Sequence, residues 1–71
     1  MLKKLKELRK EKKLSCDEMA SILNISKTYY WQLEQGKRRL YYKQAIDIAN
    51  IFKLRPDDIF YKDLNRQNKT L

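Results

Sequence analysis

Hydrogen-bonding and cationic side chains are concentrated in one stretch of the chain, between residues 26 and 42. Its first part, SKTYYWQL, carries short polar groups and a lysine, and its last part, KRRLYY, begins with three consecutive cations. A lysine can bridge the O6 and N7 acceptors of guanine, and a glutamine can make paired hydrogen bonds to adenine. Ammonium and guanidinium groups bind phosphate oxygens. The chemistry available in this stretch is therefore that of binding to nucleic acid.

The remaining composition argues against catalysis. The chain has no His, one Cys and one Gly, which leaves no Ser–His or Cys–His pair and no glycine-rich phosphate loop. A single Cys can form neither a zinc site nor an internal disulfide. We predict that the protein is not an enzyme and that it uses no metal and no cofactor. In a chain of 71 residues without a second domain we also expect no small-molecule ligand.

The charge balance narrows the choice of partner. The formal net charge of +8 points first to nucleic acid and second to anionic membranes, and a solvated basic surface without a polyanionic partner is the simplest alternative. No apolar run approaches the roughly 20 residues needed to span a bilayer. The N-terminus has lysines but lacks the apolar core of a signal peptide. We expect a cytoplasmic protein with no membrane partner.

Two short amphipathic helices with a tight joint must position the polar stretch. The first has four apolar residues at helical spacing, Met19, Ala20, Ile22 and Leu23. In the second, Tyr30 and Leu33 stand three apart and share a face, which predicts that Tyr30 packs in the core. Asn24 lies at the joint, and Asn is one of the few residues that accept a left-handed backbone. Ser26 then offers a hydroxyl to cap the second helix.

Apolar spacing elsewhere predicts three more helices and no strands. The predicted helices span residues 1–13, 16–23, 26–35 and 42–52, followed by a short fifth helix that begins at Pro56. We therefore predict an all-α fold of five helices. Residues 1–61 would form one domain, and residues 62–71 would form a polar, mobile tail.

This arrangement resembles the phage-repressor/Cro family, also called the xenobiotic-response-element (XRE) family of bacterial regulators. Besides the central helices, the shared motifs are Leu8-Arg9, Leu14-Ser15, Glu34-Gln35-Gly36-Lys37 and Asp57-Asp58-Ile59-Phe60. The chain departs from the family at Asn24 and Lys53, where Gly is usual, and at Cys16, where Gln is frequent. The resemblance implies a compact, lambda-repressor-like domain whose helices two and three form a helix-turn-helix. It also implies an ion pair between Arg9 and Glu34.

The family's function is to bind double-stranded DNA, with the third helix in the major groove. The residues expected to face base edges are Ser26, Lys27, Thr28, Trp31 and Gln32. Those expected to face the phosphate backbone are Tyr29, Lys37, Arg38, Arg39 and Tyr41. The resemblance also implies a homodimer on a palindromic operator, and the apolar residues left over for a dimer interface are Ile59, Phe60 and Leu64. The leading hypothesis is a sequence-specific transcriptional regulator, a repressor of phage, prophage or mobile-element type, in the cytoplasm of a bacterium or phage-infected cell.

Two other functions fit the same residues. Because Trp and Tyr are favoured interface anchors, the Tyr29–Trp31 face could bind a protein instead, as in an antirepressor or antitoxin. A basic domain could also bind RNA or a membrane surface without choosing a sequence. Polar residues at the positions that face base edges favour the first hypothesis over both.

Overall fold

The computed structural model describes the backbone of residues 1–67 and the side chains of residues 1–63. The helices are α1 (Lys3–Glu11), α2 (Cys16–Leu23), α3 (Lys27–Glu34), α4 (Tyr42–Ile51) and α5 (Pro56–Gln67). No strand is present in this part of the chain. The prediction of an all-α fold with five helices is confirmed. Within residues 1–67, no helix combines the length and apolar character needed to cross a membrane.

Local hydrogen bonds fix the joint between α2 and α3. At the start of α2, the Ser15 hydroxyl accepts from the Glu18 backbone N–H at 3.0 Å, and Glu18 Oε1 accepts from the Ser15 N–H at 2.8 Å. This reciprocal capping box explains why α2 begins where the sequence predicts. Asn24 ends α2 in the left-handed conformation, with φ 59° and ψ 44°, and the Ser26 hydroxyl accepts from the Tyr29 N–H to start α3.

A single core takes residues from all five helices. The buried apolar residues are Leu2, Leu5, Met19, Ala20, Tyr30, Leu33, Ala45, Ile48, Ala49, Phe52, Ile59 and Phe60. Tyr30 is fully buried, which confirms the prediction from its spacing to Leu33. Ala20 of α2 is also buried, and α2 packs against α3.

The core also takes two residues that the sequence analysis assigned to a dimer interface. Ile59 is 1% exposed and Phe60 is 3% exposed, because α5 packs against α1 and α4. Neither side chain offers apolar area to a second copy, so the predicted interface is wrong at these two residues. The third residue of that interface, Leu64, has a side chain outside the described residues. In so small a chain, the core itself needs the apolar residues of the last helix.

Helix α5 continues past residue 61, where the sequence analysis ended the domain. Asp63 is buried, and its Oδ2 accepts from the Lys4 backbone N–H at 3.1 Å. Leu2, which precedes α1, provides no side-chain cap, so a carboxylate from α5 satisfies this donor instead. Residues 62 and 63 therefore belong to the folded domain, and residues 68–71 of the predicted tail lie outside the described part of the chain.

Gly36 directs the chain from α3 into the loop that follows. Its φ of +79° is in the left-handed region, and a Cβ atom there would lie 3.2 Å from the Met1 nitrogen. Just before it, the Glu34 carbonyl accepts from the Leu2 N–H at 2.9 Å, which ties the end of α3 to the beginning of the chain. Lys53, which stands where the family usually has Gly, adopts the left-handed conformation with φ 57°.

Candidate nucleic-acid interface

The outer face of α3 brings together four of the five residues predicted to face base edges. Lys27, Thr28 and Trp31 are exposed and Gln32 is partly exposed. Because an α-helix has about 3.6 residues per turn, these four residues share one side, opposite the buried Tyr30, Leu33 and Glu34. The fifth, Ser26, lies at the N-terminal end of this face, where its hydroxyl oxygen caps the helix.

The inner face of α3 is held by a buried polar network. Arg9 donates from Nε to Glu34 Oε2 at 2.9 Å and from Nη2 to Glu34 Oε1 at 3.1 Å, so the ion pair is bidentate. Arg9 Nη1 also donates to the Leu14 carbonyl at 2.8 Å, and the Tyr30 hydroxyl donates to Glu34 Oε2 at 2.7 Å. The ion pair that the family resemblance implied is confirmed, and Arg9 thereby links α1 to α3 and to the segment that precedes α2.

Burial and pairing set the protonation states in this inner network. Its hydrogen bond to Glu34 raises the pKa of Arg9, although burial opposes that effect. Burial, followed by the hydrogen bond to Glu34, raises the pKa of Tyr30 well above its ordinary range. The guanidinium therefore stays charged and the phenol stays protonated. Among the described residues, every buried side-chain nitrogen and oxygen has a hydrogen-bond partner.

The cations of the loop after α3 lie over aromatic rings. The guanidinium carbon of Arg38 is 4.9 Å from the centre of the Tyr29 ring, and Arg38 Nε donates to Gln32 Oε1 at 2.9 Å. Lys37 Nζ is 5.1 Å from the centre of the Trp31 ring. One step further along, the Arg39 guanidinium lies 5.6 Å from the Tyr41 ring. The structure thus brings Lys37 and Arg38 directly beside the outer face of α3, while Arg39 lies beside Tyr41 at the end of the loop.

Tyr29 has an internal partner that the sequence analysis missed. Its hydroxyl accepts from Gln44 Nε2 at 3.0 Å, while Gln44 Oε1 accepts from the Tyr41 N–H at 3.0 Å. Gln44 therefore connects the outer face of α3 to the start of α4. The spacing from Tyr41 to Gln44 is that of a residue at an N-cap and a side chain that reaches back to it, which is the one signal in the sequence that indicates this role. Tyr41 itself is exposed.

Comparisons with known proteins agree with this architecture. The helix-turn-helix domain family matches residues 2–63. Over 63 residues the chain is 36% identical to the uncharacterized HTH-type transcriptional regulator YqaE of Bacillus subtilis strain 168. The alignment covers 89% of this chain and 54% of that protein, so the chain spans about half the length of this relative. No solved structure matches the chain. The chain belongs to the XRE/Cro-type helix-turn-helix family, a family of DNA-binding transcriptional regulators.

Proposed function

We propose that the chain is a sequence-specific transcriptional regulator that binds double-stranded DNA with α3 in the major groove. The observation that carries this proposal is the outer face of α3, where Lys27, Thr28, Trp31 and Gln32 stand together beside the loop cations. In helix-turn-helix proteins, the N-terminal residues of the second helix reach base edges. The role is one of binding, without catalysis.

This interface would make two kinds of DNA contact, one to base edges and one to phosphates. Lys27, Thr28 and Gln32 have side chains suited to the hydrogen-bonding and methyl groups of base edges. The loop cations Lys37, Arg38 and Arg39 are exposed and suited to phosphates, which supply affinity without sequence information. Sequence preference would therefore come mainly from α3, and salt-sensitive affinity mainly from the loop.

We further propose that the protein is a repressor of phage, prophage or mobile-element type in the bacterial cytoplasm. Repression requires only that the operator be occupied, which a DNA-binding domain achieves alone. One helix-turn-helix covers a single half-site, and two half-sites about 34 Å apart need two copies. This favours a homodimer on a palindromic operator, formed through surfaces other than Ile59 and Phe60.

The alternative of a protein-binding face is weaker. Trp31 is 42% exposed, which would suit an interface anchor. The Lys37 ammonium lies over its ring, however, and the Arg38 guanidinium lies over the ring of Tyr29. The centres of protein interfaces are depleted in charged residues, so aromatic rings covered by cations favour a polyanion.

The test is a titration of labelled duplexes selected by the protein, alongside random duplexes, at several salt concentrations. We expect log affinity to fall steeply with log salt on all duplexes. Lys27→Ala should cost about 1–3 kcal/mol on the selected duplex and much less on random DNA. Lys3→Ala removes the same charge from an exposed position on α1 and should leave the preference between duplexes unchanged.

Two results would contradict the proposal. Absence of DNA binding would direct attention to a protein partner for the Trp31 face. Binding that loses no preference in Lys27→Ala would mean that the residues of α3 do not face the bases.

A further inference from the structure

Arg38 and Gln32 form a joined unit on the interface. The hydrogen bond from Arg38 Nε to Gln32 Oε1 is 2.9 Å long, and the Arg38 guanidinium is also held 4.9 Å from the Tyr29 ring centre. Tyr29 is itself fixed by Gln44 at 3.0 Å. The guanidinium is thus positioned from two sides, so its contact with Gln32 is built into the free protein.

The chemistry of arginine decides which way the Gln32 amide is oriented. A guanidinium has only hydrogen-bond donors, so the atom of Gln32 that faces Arg38 must be the carbonyl oxygen. The NH2 group of Gln32 consequently points to the other side of the side chain. Arg38 retains four more N–H donors on its Nη atoms. The joined unit therefore offers several N–H donors, from the Gln32 NH2 group and the Arg38 Nη atoms. Its one acceptor, Gln32 Oε1, already accepts one hydrogen bond from Arg38.

The two purines differ in what they present to such a unit. The major-groove edge of guanine has two acceptors, N7 and O6, whereas that of adenine has the N7 acceptor and the N6 amino donor. A free glutamine suits adenine, because its amide supplies one donor and one acceptor. A glutamine whose oxygen already accepts from arginine has that acceptor less available to the adenine N6 amino group, whereas its NH2 group can still donate to N7 of either purine.

Building on the proposed binding to DNA, we infer that Arg38 is a specificity-determining residue that acts through Gln32. Arg38 binds Gln32 Oε1, so this oxygen is less available to the amino group of adenine. The NH2 group of Gln32 and the Nη donors of Arg38 then favour the N7 and O6 acceptors of guanine. The role of Arg38 goes beyond the phosphate contact that the sequence suggests, since the base preference at one operator position depends on it.

The experiment measures affinities of duplexes that differ only at single base pairs within the selected operator. For the unaltered protein, one position should prefer guanine over adenine by roughly tenfold. In Arg38→Ala, the released amide should lower this guanine-to-adenine ratio by roughly tenfold, and Gln32→Ala should abolish the preference at the same position.

Arg39→Ala is the matched control, because Arg39 is the neighbouring arginine and lies over Tyr41 instead of contacting Gln32. We expect it to weaken binding to all duplexes about equally and to leave the ratio unchanged. Thermal melting of each variant checks that the surface substitutions leave the domain folded.

The outcomes separate this inference from the function on which it rests. If Arg38→Ala weakens every duplex equally with an unchanged ratio, Arg38 is only a phosphate contact and the inference is wrong, while the proposed function stands. If the unaltered protein does not distinguish duplexes at all, the proposed function fails and this inference fails with it.

Discussion

Helix α3 is bonded to an arginine on each of its two faces. On the inner face, Arg9 makes a bidentate ion pair with Glu34, whose carboxylate also accepts from the Tyr30 hydroxyl. On the outer face, Arg38 bonds the neutral amide of Gln32 and lies over the ring of Tyr29. Both arrangements use an arginine, a tyrosine and an acceptor on α3, but the first is buried and the second is at the surface.

The difference in burial explains the difference in partners. A charge removed from water is costly unless it is paired, so the inner arginine needs a carboxylate and a complete set of hydrogen bonds. At the surface, water can replace any single contact, so a neutral amide is sufficient and the contact can be exchanged at little cost. The inner network is therefore suited to holding α3 in place, and the outer one to presenting its side chains to a ligand at the surface.

Breaking the inner ion pair should give the largest loss of stability. Arg9→Met would leave the Glu34 carboxylate buried, at 1% exposure, with only Tyr30 as a partner, and should cost about 3–5 kcal/mol in the free energy of unfolding. Chemical denaturation measures the loss.

The double variant Arg9→Met with Glu34→Leu removes both charges and should cost less than the sum of the two single losses. Strictly additive losses would show that the two charges do not interact, and the inner face would then be held by packing alone.

Tyr30→Phe should give the next largest loss. It removes a buried hydrogen bond to a charged acceptor, worth about 1.5–3 kcal/mol. Tyr29→Phe is the matched control one residue along α3, and because its lost hydrogen bond to Gln44 is neutral and only partly buried, we expect a loss of about 1 kcal/mol or less. Equal losses at the two positions would contradict the assignment of an inner and an outer network.

The Tyr30 contribution should also depend on pH. Its pKa in the folded protein is raised, whereas in the unfolded chain it is about 10. The unfolded chain therefore loses this proton first, and the stability difference between the unaltered protein and Tyr30→Phe is full below pH 10 and shrinks as the pH rises above it. Denaturation curves at several alkaline pH values test this expectation, and a difference that grows above pH 10 would be contrary to it.

Local signals made much of the inner region predictable. Ser15 and Glu18 have capping-box spacing, so the start of α2 could be placed to the residue. Tyr30 and Leu33 lie three apart, which assigned Tyr30 to the core. The ion pair of Arg9 with Glu34 came from the family resemblance, since nothing local connects residues so far apart in the chain.

The features that the sequence did not predict depend on contacts between different helices and loops. Whether Ile59 and Phe60 are buried by α1 and α4 or exposed for a second copy is decided by packing, and the apolar pattern is the same in both cases. Asp63 satisfies a donor of α1 from the other end of the chain, and no spacing rule indicates this. The contact of Arg38 with Gln32 crosses the turn at Gly36, so its geometry follows from a backbone conformation that the sequence indicates only as a helix end.

Of these variants, Arg38→Ala should cause the smallest loss in the free energy of unfolding. The contrast with Arg9→Met is therefore the largest. Arg38→Ala loses one exposed hydrogen bond and one cation–π contact, each worth about 0.5 kcal/mol at the surface, where water substitutes for the lost partner. We expect a loss of about 1 kcal/mol or less in the free energy of unfolding, several times smaller than for Arg9→Met. Added salt should make the loss caused by Arg38→Ala smaller still, because the Arg38 charge is exposed to solvent. Chemical denaturation at low and high salt measures both effects. A loss in Arg38→Ala as large as that in Arg9→Met would mean that the outer network supports the fold as strongly as the inner one, and the contrast between the two faces would be wrong.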